Sequence, residues 1–206
     1  MLTFIFVVLL LFLIPGPAVF LTITQTIKGG RKNGIVTGLG IAVGDFLHTL
    51  AAVLGLSAIL MTSSFAFEIV KYMGSAYLVY LGIRAIIEKA HKVEPIDKRE
   101  SNLNPNMSFR QAMLIELLNP KTSLFFLAFL PQFVKSGDTP VTIQLLVLGL
   151  TFVLMSITYT TSLVLVTSTI GNKLFAKTKK SAKWMGKVVG LVYIGLGIKL
   201  ALQTQK

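Results

Sequence analysis

The sequence has no cysteine, one tryptophan and two histidines. Without thiols, neither a disulfide framework nor a thiolate metal site can organise the fold. Charge is scarce as well, at 14% of residues against about 25% in an average soluble chain. A water-facing surface around a single core of this size cannot be built from so few charges. Sequences of the HExxH, GxSxG and Walker A types are missing, which removes metalloprotease, hydrolase and ATP-driven pump chemistry. No metal-ligand spacing or cofactor fingerprint occurs. Asp97 and Asp138 lie in polar links, so Asp45 has no second aspartate at membrane depth to form an aspartyl-protease dyad. Together these absences exclude an enzyme.

What is abundant is apolar sequence: 53% of the 206 residues, with a mean hydropathy of +0.75. The apolar residues come in runs rather than in alternation, and runs of 18 or more read as membrane-spanning helices. Six spans are expected: Leu2 to Ile27, Ile35 to Thr62, Ile69 to Ile87, Phe109 to Val134, Val141 to Ile170 and, shorter than the rest, Val188 to about Leu202. The fold class expected is therefore an all-α integral membrane protein. The N-terminus has no cationic leader and no A-x-A-like site, so it reads as a first span and not as a cleaved signal peptide.

The net charge of +12 would point to nucleic acid in a soluble protein, but here the cations gather between the apolar runs. Links at 28–34, 88–107 and 171–187 hold thirteen Lys and Arg, whereas the two alternate links hold only Lys135. Positive charge favours the cytoplasmic side, so six spans leave both termini outside. Nucleic-acid binding is excluded by the same pattern.

The chain divides into residues 1–87, a polar cytoplasmic loop at 88–107, and residues 108–206, giving three spans on each side of the loop. The first span of each half is broken by proline, at Pro15-Gly16-Pro17 and at Asn119-Pro120. The third spans share Tyr72-Met73-Gly74 with Trp184-Met185-Gly186, and Gly82-Ile83-Arg84 with Gly197-Ile198-Lys199. Three spans per half insert the halves in opposite directions. Inverted repeats with broken helices in matching positions point to the binding site of a secondary transporter.

Asp45 lies about eleven residues into the second span, ~16 Å at 1.5 Å per residue, and so near mid-depth. A carboxylate there is costly and should face a cavity, a partner or a proton. His48, one turn on, is a candidate proton partner or a merely hydrogen-bonded histidine. Gly40 and Gly44 form a GxxxG along which another helix can approach closely. The prolines cannot donate to the carbonyls of Leu11, Leu13 and Glu116, and such freed groups survive at membrane depth only in a cavity or buried in protein. An amino-acid zwitterion complements both the half-helix N–H groups and these carbonyls. Lys121, just after the second break, can pair with Asp45 or Glu116 or bind a substrate carboxylate, and Glu116 can be a cavity carboxylate or an interfacial one. Thr142, Gly149 and Ser156, at heptad spacing in the fifth span, read as a packing stripe.

In order along nearly the whole chain, these residues resemble the lysine-exporter/RhtB family of amino-acid efflux transporters. The resemblance is carried by Pro15-Gly16-Pro17, the Gly34, Gly38 and Gly44-Asp45 series, and Gly74-Ser75-Ala76-Tyr77-Leu78 with Leu81-Gly82. It continues with Asn119-Pro120-Lys121, Phe125-Phe126, Phe129-Leu130-Pro131-Gln132-Phe133 and Gly195-Leu196-Gly197. At Glu116 many family members have Asn. The resemblance implies proton-coupled export across the bacterial inner membrane of threonine, homoserine, its lactone, leucine or a basic amino acid. The partners expected are that small molecule, protons and the lipid bilayer, with a homodimer allowed. The rival reading is a non-transporting membrane scaffold whose glycine faces serve only packing.

Overall fold

The computed structural model describes residues 1–13, 15–57, 64–87, 104–135 and 137–170, with nine further positions between 187 and 202. Most of the 88–107 loop and of the 171–187 link lies outside the described residues, as does Trp184-Met185-Gly186. Among the described residues every regular element is helical.

Helix α1 (Leu2–Leu13) stops just before the first proline break, and α2 (Pro17–Ala51) starts on the second of its prolines. Proline suits a first helical turn, because its missing N–H would have no partner there. The link expected at 28–34 is almost wholly helical, and its turn is compressed into one residue. Gly30 has φ 71° and ψ −173°, the only positive φ among the described residues. There the chain folds back, so that a Cβ on Gly34 would collide with the Thr26 side chain. α2 thus consists of two arms, residues 17–29 and 31–51, and the second continues through a π-helical turn, Ala52–Leu56.

Helix α3 (Ser64–Ile87) follows. α4 (Pro105–Leu117) begins four residues before the expected Phe109, because Asn104 caps it by accepting from the Asn106 N–H at 3.0 Å and Pro105 takes the first turn. α5 (Pro120–Leu124) leads into a π-helical turn, Phe125–Phe129, and a 3-10 turn, Leu130–Phe133. α6 (Val141–Ile170) matches the expected fifth span. Pro17–Leu56 and Val141–Thr169 are long and apolar enough to cross a membrane, and α4 with the segment Pro120–Phe133, bent by 43°, makes a third as one broken span.

Three helix pairs run in opposite directions, whereas the second arm of α2 runs parallel to α4, with Gly40 on Phe109 and Gly44 on Glu116. Leu11 meets Lys121, and Phe4 packs on Phe125 and Phe133. Gln25 bonds Ser108 and Gln111. The second arm of α2 runs against α6, with Gly34 on Val164, Gly38 on Thr160 and Thr49 on Gly149. α3 runs against the last helical positions, with Gly82 on Gly190 and the Ser75 hydroxyl donating to the Gly197 carbonyl at 2.6 Å. Glycine is required at Gly82 and Gly190, since a Cβ on either would strike the other's carbonyl.

Burial is inverted relative to a water-soluble protein. Leu39, Val43, Phe46, Leu150, Leu154 and Leu165 are exposed, while Thr22, Gln25, Asn33, Thr37, Asp45, Thr49, Glu116, Asn119 and Ser156 are buried. An apolar belt around a polar interior suits a hydrocarbon solvent, in which polar groups must be satisfied internally. The apolar part of the core sets Phe4, Phe125, Phe126, Phe129 and Phe152 among aliphatic side chains such as Val8, Leu56, Leu130 and Leu145, the rings stacked, tilted or edge-on to one another.

Candidate functional site

The two proline breaks meet. Pro15 leaves the Leu11 carbonyl without an intrahelical donor, and the Lys121 ammonium, from the opposite break, donates to it at 3.0 Å. The Lys121 side chain also passes Gly16, whose missing Cβ would lie 3.7 Å from Nζ. Pro120 likewise frees the Glu116 carbonyl, and His48 Nε2 approaches it at 3.1 Å while the Asn119 N–H donates to it at 3.0 Å. Two of the carbonyls expected to be open are therefore each met by a residue named with them in the sequence. Pro15, Pro17 and Pro120 themselves face outward, so the backbone they free lines the interior and their rings do not.

Asn119 does two jobs. Its Oδ1 caps α5 by accepting from the Lys121 N–H at 3.1 Å, and its Nδ2 donates to both Glu116 carboxylate oxygens, at 3.3 and 3.2 Å. The Thr122 hydroxyl donates to Glu116 as well. Glu116 is thus buried in the protein interior, 3% exposed.

Gly40 and Gly44 explain how Glu116 reaches the site. A Cβ on Gly40 would collide with the Phe109 carbonyl, and one on Gly44 would lie 2.7 Å from the Glu116 Cβ. α4 therefore lies directly on the GxxxG face, and Glu116 comes beside Asp45, one residue beyond Gly44. Asp45 is 1% exposed and faces Glu116, Ser156 and Lys121, yet its Oδ2 has no hydrogen-bond partner. His48 stacks on Phe126, with centroids 5.7 Å apart.

The sequence reading missed Ser156 and Thr122. Ser156 belongs to the stripe read as packing, but it faces Asp45 across the α2–α6 contact. A usable signal was present: Gly38-Leu39, Asp45 and Thr49 have the spacing of Gly149-Leu150, Ser156 and Thr160. The structure repeats the correspondence in detail. Gly38 packs on Thr160 and Gly149 on Thr49. Thr49 donates to the Asp45 carbonyl at 3.0 Å, as Thr160 does to that of Ser156 at 2.8 Å.

Buried carboxylates, an ammonium and an imidazole gathered where two broken helices cross can bind a small polar cargo or pass protons. Comparison with known proteins agrees with such a role. A leucine efflux protein of Salmonella typhimurium is 29% identical, covering 92% of this chain and 88% of its own. Uncharacterised membrane proteins of Bacillus subtilis and Pseudomonas aeruginosa are each 30% identical, over 98% of this chain and over 98% and 94% of theirs. No solved structure matches. The family model described as LysE type translocator matches residues 9–204. The chain therefore belongs to the LysE type translocator family, and is a membrane transporter rather than an enzyme.

Proposed function

We propose that the protein is a secondary active exporter of an amino acid or close derivative, driven by the proton gradient across the bacterial inner membrane. The carrying observation is that both proline breaks, one from each half of the chain, meet at half-buried Lys121 and the buried set Asp45, His48 and Glu116. In the proposed cycle Asp45 takes the proton or the substrate ammonium, Lys121 counters negative charge, and the broken backbones with Asn119 hold the zwitterion. The efflux function named for the Salmonella relative supports the direction of transport and amino acids as cargo. A proton falling through ~100 mV releases ~2.3 kcal/mol, enough for an about fifty-fold gradient.

The architecture proposed is six spans in two inverted repeats, residues 1–87 and 108–206, with both termini outside. Its support is the opposite-direction pairing of the first broken span with the fourth, through α1 and the segment after Pro120, of the second arm of α2 with α6, and of α3 with the last helical positions. A packing scaffold needs glycine faces but has no use for two buried carboxylates and a lysine.

Proteoliposomes loaded with labelled amino acids and given an imposed pH gradient test the function. Wild-type protein should drive efflux of at least one amino acid. Asp45→Asn should insert and fold but lose gradient-driven efflux, while Asp45→Glu keeps part of it. Driven efflux at wild-type rate from the Asn variant would remove Asp45 from the coupling step.

A further inference from the structure

The charges of the site do not balance. Asp45 and Glu116 are both buried carboxylates, and the cationic side chain acting on them is Lys121. His48, on the same arm as Asp45, directs Nε2 to the Glu116 backbone carbonyl and stacks its ring on Phe126. From α6, Ser156 faces Asp45 and carries no charge. With a neutral imidazole, the fully ionised set holds one surplus negative charge inside an apolar belt, where an uncompensated charge is strongly disfavoured.

Two geometric facts show where the compensation belongs. Asp45 Oδ2 is buried without a partner, whereas the Glu116 carboxylate already receives Asn119 and Thr122. A Cβ on Gly44 would also lie 2.7 Å from the Glu116 Cβ, so the close approach of the two helices sets the Glu116 carboxyl beside that of Asp45. Ionised carboxylates are acceptors only, so two of them cannot bond unless one carries a proton. A proton on Asp45 Oδ2, donated to Glu116, settles the charge count, the orphaned oxygen and the contact together.

We propose that the coupling proton is held jointly by Asp45 and Glu116, one proton to the pair, with Ser156 as the neutral counterpart that keeps the number at one. This rests on the exporter reading and deepens it, because it assigns Glu116 a part in coupling. The spacing shared by Gly38, Asp45 and Thr49 with Gly149, Ser156 and Thr160 makes Ser156 the equivalent of Asp45 in the other half of the chain. A second carboxylate there would add a second proton. The proton enters from the outside onto the pair and leaves to the cytoplasm, and no other bond is made or broken.

The test is infrared spectroscopy of the purified full chain in lipid nanodiscs at neutral pH, which reads the carbonyl stretch of a protonated carboxyl and needs no substrate. The other described carboxylates, Glu68 and Asp138, are exposed, so they add no such band. Wild type should show one deuterium-sensitive band. Asp45→Asn and Glu116→Gln should each abolish it, since the remaining carboxylate then balances Lys121. Glu116→Asp should retain the band at a shifted frequency, Ser156→Asp should double it, and His48→Gln and Asp138→Asn should leave it in place. A wild type without the band would overturn the proposal. So would a band that survives in Glu116→Gln, or one that Glu116→Asp leaves unshifted, because Asp45 would then hold its proton alone. A band that appears only in His48→Gln would show that a charged imidazole balances the site, and would overturn it equally. Failure of the exporter reading is separate: the band would behave as stated while no amino acid moved in proteoliposomes.

Discussion

Lys121 closes two accounts at once, since its ammonium satisfies the Leu11 carbonyl and offsets the charge of Glu116 and Asp45. Lys121→Met keeps most of the side-chain volume but orphans that carbonyl, and a buried unsatisfied acceptor costs about 1–3 kcal/mol. The variant should melt at lower temperature in detergent and lose transport. Adding Glu116→Gln to it should recover part of the melting temperature but none of the transport, because the one negative charge of the Asp45–Glu116 pair, left without Lys121, is removed. Equal melting of the single and double variants would mean that Lys121 does not balance Glu116. At this scale Asp45, His48, Glu116 and Lys121 were legible in the sequence, because ionisable side chains at membrane depth are costly wherever they occur. Ser156 was not legible as a site residue, since a hydroxyl in a span costs little and looks the same whether it packs or points at a carboxylate.

At the level of elements, the breaks are what bring the site together, and each can be mended separately. Pro120→Ala restores an N–H that would compete with His48 for the Glu116 carbonyl, and Pro17→Ala adds an N–H to the first turn of α2 beside the break. Both variants should insert normally and transport less, measured as efflux at matched expression. Unchanged efflux in both would make the breaks ordinary kinks. Gly30 tests the turn within α2. A Cβ there meets nothing within 4 Å, so the cost of Gly30→Ala is the positive-φ, extended-ψ backbone alone, about 1–3 kcal/mol. The loss should appear in thermal unfolding without any change in spectroscopic helix content. The turn was expected as a seven-residue cationic link, yet its polar residues remain helical on both sides of Gly30. Polarity marks where a chain leaves the hydrocarbon, but only backbone conformation says how many residues the reversal takes.

For the whole molecule, the testable quantity is orientation. Reporter fusions after Lys32, at Asp97 and after Lys179 should report the cytoplasm, where the cations lie. Fusions at Gly137 and at the C-terminus should report the outside. A cytoplasmic C-terminus would remove the six-span arrangement and the inverted repeat with it. The all-helical class and membrane solvent were readable from composition, since the long apolar runs and the low charge leave few alternatives. The expected run of six spans is less evident in the helices themselves. α1 has only 12 residues, because the proline break ends it, and among the described residues two helices are long and apolar enough to cross a membrane, or three with the bent pair taken as one.

The sequence by itself determined the solvent, the family resemblance, the sites of the helix breaks and which residues carry charge at depth. Each of these follows from local chemistry: hydropathy over a window, a missing N–H, a side chain with an ionisable end. Tertiary structure alone decided which freed carbonyl meets which side chain. Leu11 and Lys121 are far apart along the chain, and no periodicity relates them. Only the tertiary structure, too, brought Glu116 beside Asp45, through the bare Gly40–Gly44 face, and left one oxygen of Asp45 without a donor. Such contacts depend on how two helices cross, and that crossing is set by the summed packing of small residues along both faces and not by any one of them.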